Sequence, residues 1–186
     1  VAVLPVLETP RLILRSFVPE DAAAVTELAA DRRIADTTLN IPHPYDLRMA
    51  EEWIGTHAQR LANGEQAAFA VTLKSNLALI GAVSLGIERR FRRANLGYWI
   101  GVPWWHQGYA TEAARVVVDF GFAECRLHRV HAVHLPRNPA SGRVLQKIGM
   151  QQEGVQREHT CKNDVYEDLV LYGVLQRQWQ TDKDYS

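Results

Sequence analysis

The residues whose types and spacing could do chemistry fall in two stretches, Val102-Pro103-Trp104-Trp105-His106-Gln107-Gly108-Tyr109-Ala110-Thr111-Glu112-Ala113 and Asn138-Pro139-Ala140-Ser141-Gly142-Arg143-Val144-Leu145-Gln146-Lys147. In the first, a strand ends, an aromatic loop follows and a helix begins at Gly108. First-turn helix amides have no partner within the helix, and the helix dipole adds partial positive charge there. Gly108 and Ala110 keep side chains out of the way, so a diphosphate can approach the backbone. A glycine at that place also serves a tight strand-to-helix turn that binds nothing. In the second stretch, Asn138 can bond a ligand amide and the Ser141 hydroxyl can donate or accept. Arg143 and Lys147, four residues apart, share a helix face and can meet a phosphate. Asn138 serves equally well as the cap of its own helix.

These stretches need a frame. Arg11 to Phe17 reads as a first strand, and Pro19-Glu20-Asp21 opens an alanine-rich helix to about Ala30. Ile41-Pro42-His43-Pro44-Tyr45 is a loop, after which Asp46 caps a helix carrying Met49, Trp53, Ile54 and His57 and stopping near Asn63-Gly64. Ala67–Leu73 and Leu77–Ile87 form a hairpin, Arg89 to Arg93 a basic solvated turn, and Leu96–Gly101 a further strand. Gly108–Glu124 is an apolar helix, Arg129–Leu135 a strand, and Ala140–Ile148 a short helix closed by Gly149. Two last strands, Gln152–Cys161 and Val165–Leu175, turn at Asn163-Asp164. The alternation of strands and helices, without repeat or linker, is that of one α/β domain over residues 1–186.

Bulk properties narrow the classes. Hydrophobic content is 47%, charged content 23%, and the formal net charge is zero. Nothing global therefore favours nucleic acid or an acidic membrane. No apolar run has the length of a span and Val1 to Glu8 lacks a signal-peptide layout, which fits a cytoplasmic protein. Cys125 and Cys161 make neither a disulfide framework nor a metal site and read as buried or half-buried thiols. The Gly-Lys-Ser/Thr pattern of a P-loop is missing.

Taken together, Gly97-Tyr98-Trp99-Ile100-Gly101, Trp105 to Ala113, Asn138-Pro139-Ala140-Ser141 and Lys147-Ile148-Gly149-Met150 resemble the GNAT superfamily. Thr9-Pro10-Arg11-Leu12-Ile13-Leu14-Arg15 and Tyr166 to Tyr172 extend the similarity to its RimJ/RimL group of N-acetyltransferases. The resemblance implies a mixed, mostly antiparallel seven-stranded sheet, flanked by helices, whose fourth and fifth strands splay apart. It implies acetyl-CoA as donor, with no metal. Pantetheine would pair with the backbone of Ile100 and Val102, and the diphosphate would rest on Gln107, Gly108, Tyr109, Ala110 and Thr111, with Lys147 nearby. Asn138 would meet the pantetheine arm and Ser141 would lie near the sulfur.

The implied reaction is direct attack of a primary amine on the thioester in a ternary complex, with an amide near Ile100 as oxyanion donor. The amine could be a protein N-terminus. Alternatives are a small-molecule amine (polyamine, amino acid or drug) and a non-catalytic acyl-CoA-binding protein. The chain departs from the family at Leu145, where a tyrosine acid is usual, and at Asn95, where strand four often carries glutamate. Ser141 remains as the candidate proton donor. Glu158, on the strand where some relatives carry an acid, is the candidate base. Glu112 suits the helix dipole, and His43 and Tyr45 belong to the loop region that lines the acceptor cleft. A homodimer through the C-terminal strands is common in the group.

Overall fold

The computed structural model describes residues 3–179. Buried and half-buried residues alternate in Leu12–Arg15 and Arg129–His134, because successive side chains face opposite sides of a sheet. Gln66–Leu73 and Leu79–Glu88 are near-continuous buried runs covered on both faces. The strands are β1 (Leu7–Glu8), β2 (Leu12–Arg15), β3 (Gln66–Leu73), β4 (Leu79–Glu88), β5 (Arg93–Ile100), β6 (Arg129–His134), β7 (Gln151–Lys162) and β8 (Val165–Leu175). They form one sheet in the order β1-β2-β3-β4-β5-β6-β8-β7, antiparallel except for β5 and β6. The mixed, mostly antiparallel sheet is as expected, with eight strands rather than seven. The additional one is the two-residue β1, too short to leave a periodic signal, which pairs with β2. The Asn163-Asp164 turn has φ of 51° and 61°, the left-handed pair of a tight hairpin.

Helices cover both faces. On one lie α5 (Tyr109–Ala123) and α6 (Pro139–Lys147). Their apolar sides pack with Leu12, Leu14, Phe69, Val83, Leu85, Val117 and Val130 in the main core. On the other lie α1 (Ala22–Ala29), α2 (Arg32–Thr37), α3 (Leu47–Gly55) and α4 (His57–Ala62). Val25, Ala50, Ile54, Ala70 and Leu79 form a smaller core there, with Tyr45, Trp53 and Trp99 partly buried against it. Two helices, α3 and α4, stand where a single one was expected, and α2 is a helix the sequence pattern does not show. The Thr56 hydroxyl and amide both bond the Trp53 carbonyl, which tightens the last turn of α3 and divides the two helices. The helix α2 rests on its cap, Asp31 accepting from the Arg33 amide, because six residues hold too little periodicity to show. Asp46 caps α3 as expected, accepting from the Met49 amide at 2.9 Å. Cys161 is exposed rather than buried.

The central irregularity is between β5 and β6. They pair only at Arg93↔Arg129, Ala94↔Val130 and Asn95↔His131, then separate. Beyond that point β5 stays on β4 as far as Gly81↔Ile100, and β6 stays on β8 as far as His134↔Val170. Where β5 leaves, its backbone crowds β4: a Cβ at Gly81 would sit 2.2 Å from the Trp99 carbonyl oxygen. The Gly101 amide donates to the Ile80 carbonyl at 2.7 Å, which fixes the phase of the ladder. The N–H and C=O groups of Tyr98 and Ile100 therefore point away from β4, into the gap.

The smaller core contains one group at odds with its surroundings. His57 lies against Phe17 and Trp53, with ring centroids 5.1 and 4.6 Å away. Neither of its ring nitrogens has a hydrogen-bond partner. Burial, with a smaller contribution from Arg60, pushes the imidazole down to about 4. An unfolded-chain histidine titrates near 6.5. Between these values the unfolded chain binds a proton that the folded chain refuses. The stability contribution is therefore intact above about 6.5 and is lost as pH falls toward about 4. His57→Phe is expected to raise the melting temperature at pH 5 by about 2–4 °C and to change it little at pH 8. Thermal unfolding of both proteins across that range is the check.

Candidate functional site

The gap opens into a cavity of about 1000 Å³. One part of its wall comes from the α5/α6 face, including Tyr109, Ala110, Thr111, Ser141 and Val144. The other comes from the opposite face, including Val25, Ile34, Met49, Trp53 and Trp99. Residues 95–100 of β5 contribute along their whole length. The cavity thus passes through the sheet where β5 and β6 part.

Gly108, at the head of α5, has φ +84°, a conformation that a side chain strains. The first helical bond of α5 runs from the Glu112 amide to the Gly108 carbonyl. The amides of Tyr109, Ala110 and Thr111 precede it and are the orphan donors of the helix. Gly108, Tyr109, Ala110 and Thr111 all line the cavity; Gln107 does not. The Gln107 side chain donates to the Pro103 carbonyl, and its own carbonyl accepts from Arg11. A second hollow of about 420 Å³ adjoins the loop, lined by Arg11, Arg115 and Lys147 among others. The surroundings of the orphan amides are therefore cationic.

Glu112 does more than complement a helix dipole. It accepts from the Thr9 hydroxyl at 2.5 Å, the Arg11 amide at 3.0 Å and the Arg11 Nε at 2.7 Å. Arg11 also lies over the Tyr109 ring, 4.4 Å from its centroid. Arg11 is half exposed, so the pair adds little to stability. Its consequence is positional, since it ties the start of β2 to the first turn of α5.

Deeper in the gap the Trp105 indole donates to the Ile100 carbonyl at 2.6 Å. That leaves the Ile100 amide as the backbone group of this residue free to act in the gap. Val102 begins a 3-10 turn, Val102–Trp104, and does not line the cavity. Strand geometry ends at Ile100, so the gap-facing backbone belongs to Tyr98 and Ile100 rather than to Ile100 and Val102. Asn138 caps α6, accepting from the Ser141 amide at 3.2 Å, while its Nδ2 donates to the Thr37 carbonyl at 3.0 Å. It thus joins the α6 side of the cavity to the end of α2.

Ser141 has a partner that the sequence reading overlooked. The Tyr98 hydroxyl lies 2.8 Å from Ser141 Oγ and 3.1 Å from the Ser141 carbonyl oxygen. Burial pushes this phenol well above its ordinary value, although the bond to Ser141 acts in the opposite sense. The hydroxyl has one proton. Given to the carbonyl, it leaves Ser141 to donate to the phenol; given to Oγ, it frees the serine proton for the cavity. Leu145, by contrast, is fully buried in the main core. A phenol is present, but it reaches Ser141 from β5, and the Gly-Tyr pair was the available signal.

The candidate base is not brought to this place. Glu158 is exposed, at φ +46° in the irregular part of β7 where pairing with β8 shifts register between Gln156 and Thr160. Its amide is held by Asp168, and it is not among the cavity residues. The bulge turns it from the face that simple alternation would give it. Of the described residues lining the cavity, Glu52 is the one carboxylate, at the rim and paired with Arg48 at 3.4 Å. Tyr45 lines the cavity as expected and His43 does not. His134, also overlooked, lines it from β6 with Nδ1 2.8 Å from the Leu135 carbonyl.

A family model described as an acetyltransferase (GNAT) domain matches residues 11–151. The chain is 30% identical over 172 residues to YoaA, an uncharacterized N-acetyltransferase of Bacillus subtilis (strain 168), covering 92% of this chain and 97% of that protein. It is 23% identical to a ribosomal protein uS5-alanine N-acetyltransferase of Escherichia coli (strain K12), covering 93% and 92%. The crystal structure of an acetyltransferase (GNAT family) from Bacillus anthracis matches with a TM-score of 0.82 and 25% identity, covering 93% of this chain and 99% of that one.

The wall formed by residues 37–42 depends on one distant cation. Lys162, on β7, donates to the carbonyls of Ala35, Thr38 (2.5 Å) and Ile41 (3.2 Å). An ammonium at the end of α2 also meets the negative end of its dipole. Lys162→Met is expected to speed amide exchange across residues 38–41 by about tenfold or more, given that hydrogen bonds to charged groups contribute roughly 1.5–3 kcal/mol. Lys162→Arg should restore much of the protection. Exchange measured by mass spectrometry gives the answer.

Proposed function

Because the chain belongs to the GNAT acetyltransferase family, we propose that it moves an acetyl group from acetyl-CoA to an α-amine, as at the start of a peptide. The observation that carries this reading is a cavity through the sheet with orphan amides and cations on one face and an approach for an amine on the other. The residues fit the donor. The amides of Tyr109 to Thr111 would take the diphosphate, with Gly108 leaving the approach open and Arg143 and Lys147 at its side. The gap-facing N–H and C=O of Tyr98 would pair with the pantetheine arm as an added strand, leaving the Ile100 amide for the thioester carbonyl. Asn138 would border that arm, and Ser141 the sulfur.

The amine, neutral and entering from the α1–α3 face, attacks the thioester carbonyl. The Ile100 amide receives the developing oxyanion, with the next peptide along anchored by the Trp105 bond to the Ile100 carbonyl. Collapse of the adduct breaks the C–S bond. Ser141 passes its proton to the departing thiolate and accepts the ammonium proton of the adduct, with Tyr98 holding the hydroxyl in place. Protons balance without a separate base.

This proton accounting bears on the acceptor. The one cavity carboxylate is at the rim and already paired, so the amine must arrive neutral from solution. An α-amine titrates near 8 and an alkyl amine near 10.4, so at pH 7 the neutral fraction of the former is roughly two-hundredfold larger. The similarity to an enzyme that acetylates the alanine of a ribosomal protein supports the same class.

Three outcomes are expected. Gly108→Val should weaken acetyl-CoA binding at least about tenfold in calorimetry, since it strains the turn and fills the cradle. Ser141→Ala should keep that affinity and lower kcat about a hundredfold, the scale of a lost proton-transfer group; an unchanged kcat would remove Ser141 from the mechanism. Finally, kcat/KM for a peptide acceptor should rise with pH to a plateau near 8. Tyr98, held above its ordinary value by burial, should add no inflection below that plateau. A bell with an acidic limb independent of the acceptor would show an enzyme base instead.

A further inference from the structure

The α1–α3 side of the cavity is larger and more apolar than an amine alone requires. Tyr45, Met49, Trp53 and Trp99 all line it and all are half-buried. Tyr45, Trp53 and Trp99 rest on the smaller core, which holds their inner faces. Trp53 is fixed further by edge-to-face contact with Phe17 at 5.0 Å. Leu39 and Ile41, on the segment latched by Lys162, line the same side. These surfaces stand next to the gap, where the amine must lie. They present flat, preorganised apolar area with little side-chain freedom to lose.

Charge supports the same choice. The rim carboxylate Glu52 has Arg48 as its partner, while Arg60 of α4 lines the cavity on the same side. A substrate with several positive charges would lose hydration there, meet more like charge than opposite, and find no carboxylate free to compensate. An amine joined to a single aromatic or large aliphatic body meets none of these costs.

We propose that the acceptor is an α-amine whose own residue carries an aromatic or large aliphatic side chain, seated against Tyr45, Met49, Trp53 and Trp99. This rests on the acetyl-transfer reading and narrows it: polyamines and aminoglycosides are excluded, and peptides beginning with glycine are poor acceptors. The wall selects by burying the first side chain, so its effect falls on acceptor affinity rather than on the chemical step.

The test separates binding from turnover. C-terminally amidated Phe-Ala, Gly-Ala and spermidine are titrated calorimetrically into the CoA-saturated protein, and thiol release from acetyl-CoA is then followed with each. Phe-Ala amide is expected to bind at least about tenfold more tightly than Gly-Ala amide, the scale of one buried aromatic anchor, with spermidine weaker than both. Trp53→Ala and, because that truncation touches the smaller core, Met49→Ala should each reduce the Phe/Gly ratio while acetyl-CoA affinity stays the same. Equal affinity for the two dipeptides, tighter binding of spermidine, or a ratio unchanged in both variants would overturn the proposal. Selective binding of Phe-Ala amide without thiol release would uphold the pocket and overturn acetyl transfer alone.

Discussion

Everything at the candidate site follows from β5 and β6 sharing only three residue pairs before they part. Each strand keeps its other neighbour beyond that point, so the sheet stays intact while one seam within it opens. An exposed strand edge is ordinarily a liability, because its unpaired N–H and C=O groups invite another chain. Here the edge is internal and short. It is bordered by the first turns of α5 and α6, and the orphan amides of α5 are further unsatisfied donors in the vicinity. One opening therefore gathers strand groups, helix-start amides and a hydroxyl pair around a common space.

Keeping that seam open requires fixed points on both sides. The close approach of Gly81 to the Trp99 carbonyl lets β5 bend against β4. The Trp105 indole occupies the Ile100 carbonyl, and Glu112 joins Thr9 and Arg11 to the head of α5. Asn138 and Lys162 hold the carbonyls of residues 35–41 from the α6 and β7 sides. None of these contacts needs to be worth much in global stability. Together they remove alternatives for the groups that would meet a substrate, which matters more when catalysis rests on position than on a strong acid or base.

Much of this was legible in the sequence, and the reasons differ by element. The turn at Gly108, the caps at Asp46 and Asn138 and the Asn163-Asp164 hairpin are local chemistry and stood as read. The helix α2 and strand β1 were not legible because two to six residues hold no period. Glu158 was misplaced because alternation cannot foresee the bulge between Gln156 and Thr160, which changes the facing of every residue in it. Tyr98 was visible only as part of a motif. Its meeting with Ser141 spans 43 positions along the chain, and no spacing rule reaches that far. The same holds for Lys162, whose three acceptors lie more than 120 residues earlier.

The central claim is that the opened edge of β5 is completed by the donor. Residue-resolved amide exchange of the protein with and without acetyl-CoA tests this most directly. Gly97 and Trp99, facing β4, should be protected in both states, whereas Tyr98 and Ile100 should gain protection of about tenfold or more on binding, as for a newly formed strand hydrogen bond. Saturating acetyl-CoA that left the Tyr98 and Ile100 amides exchanging as before would contradict the account.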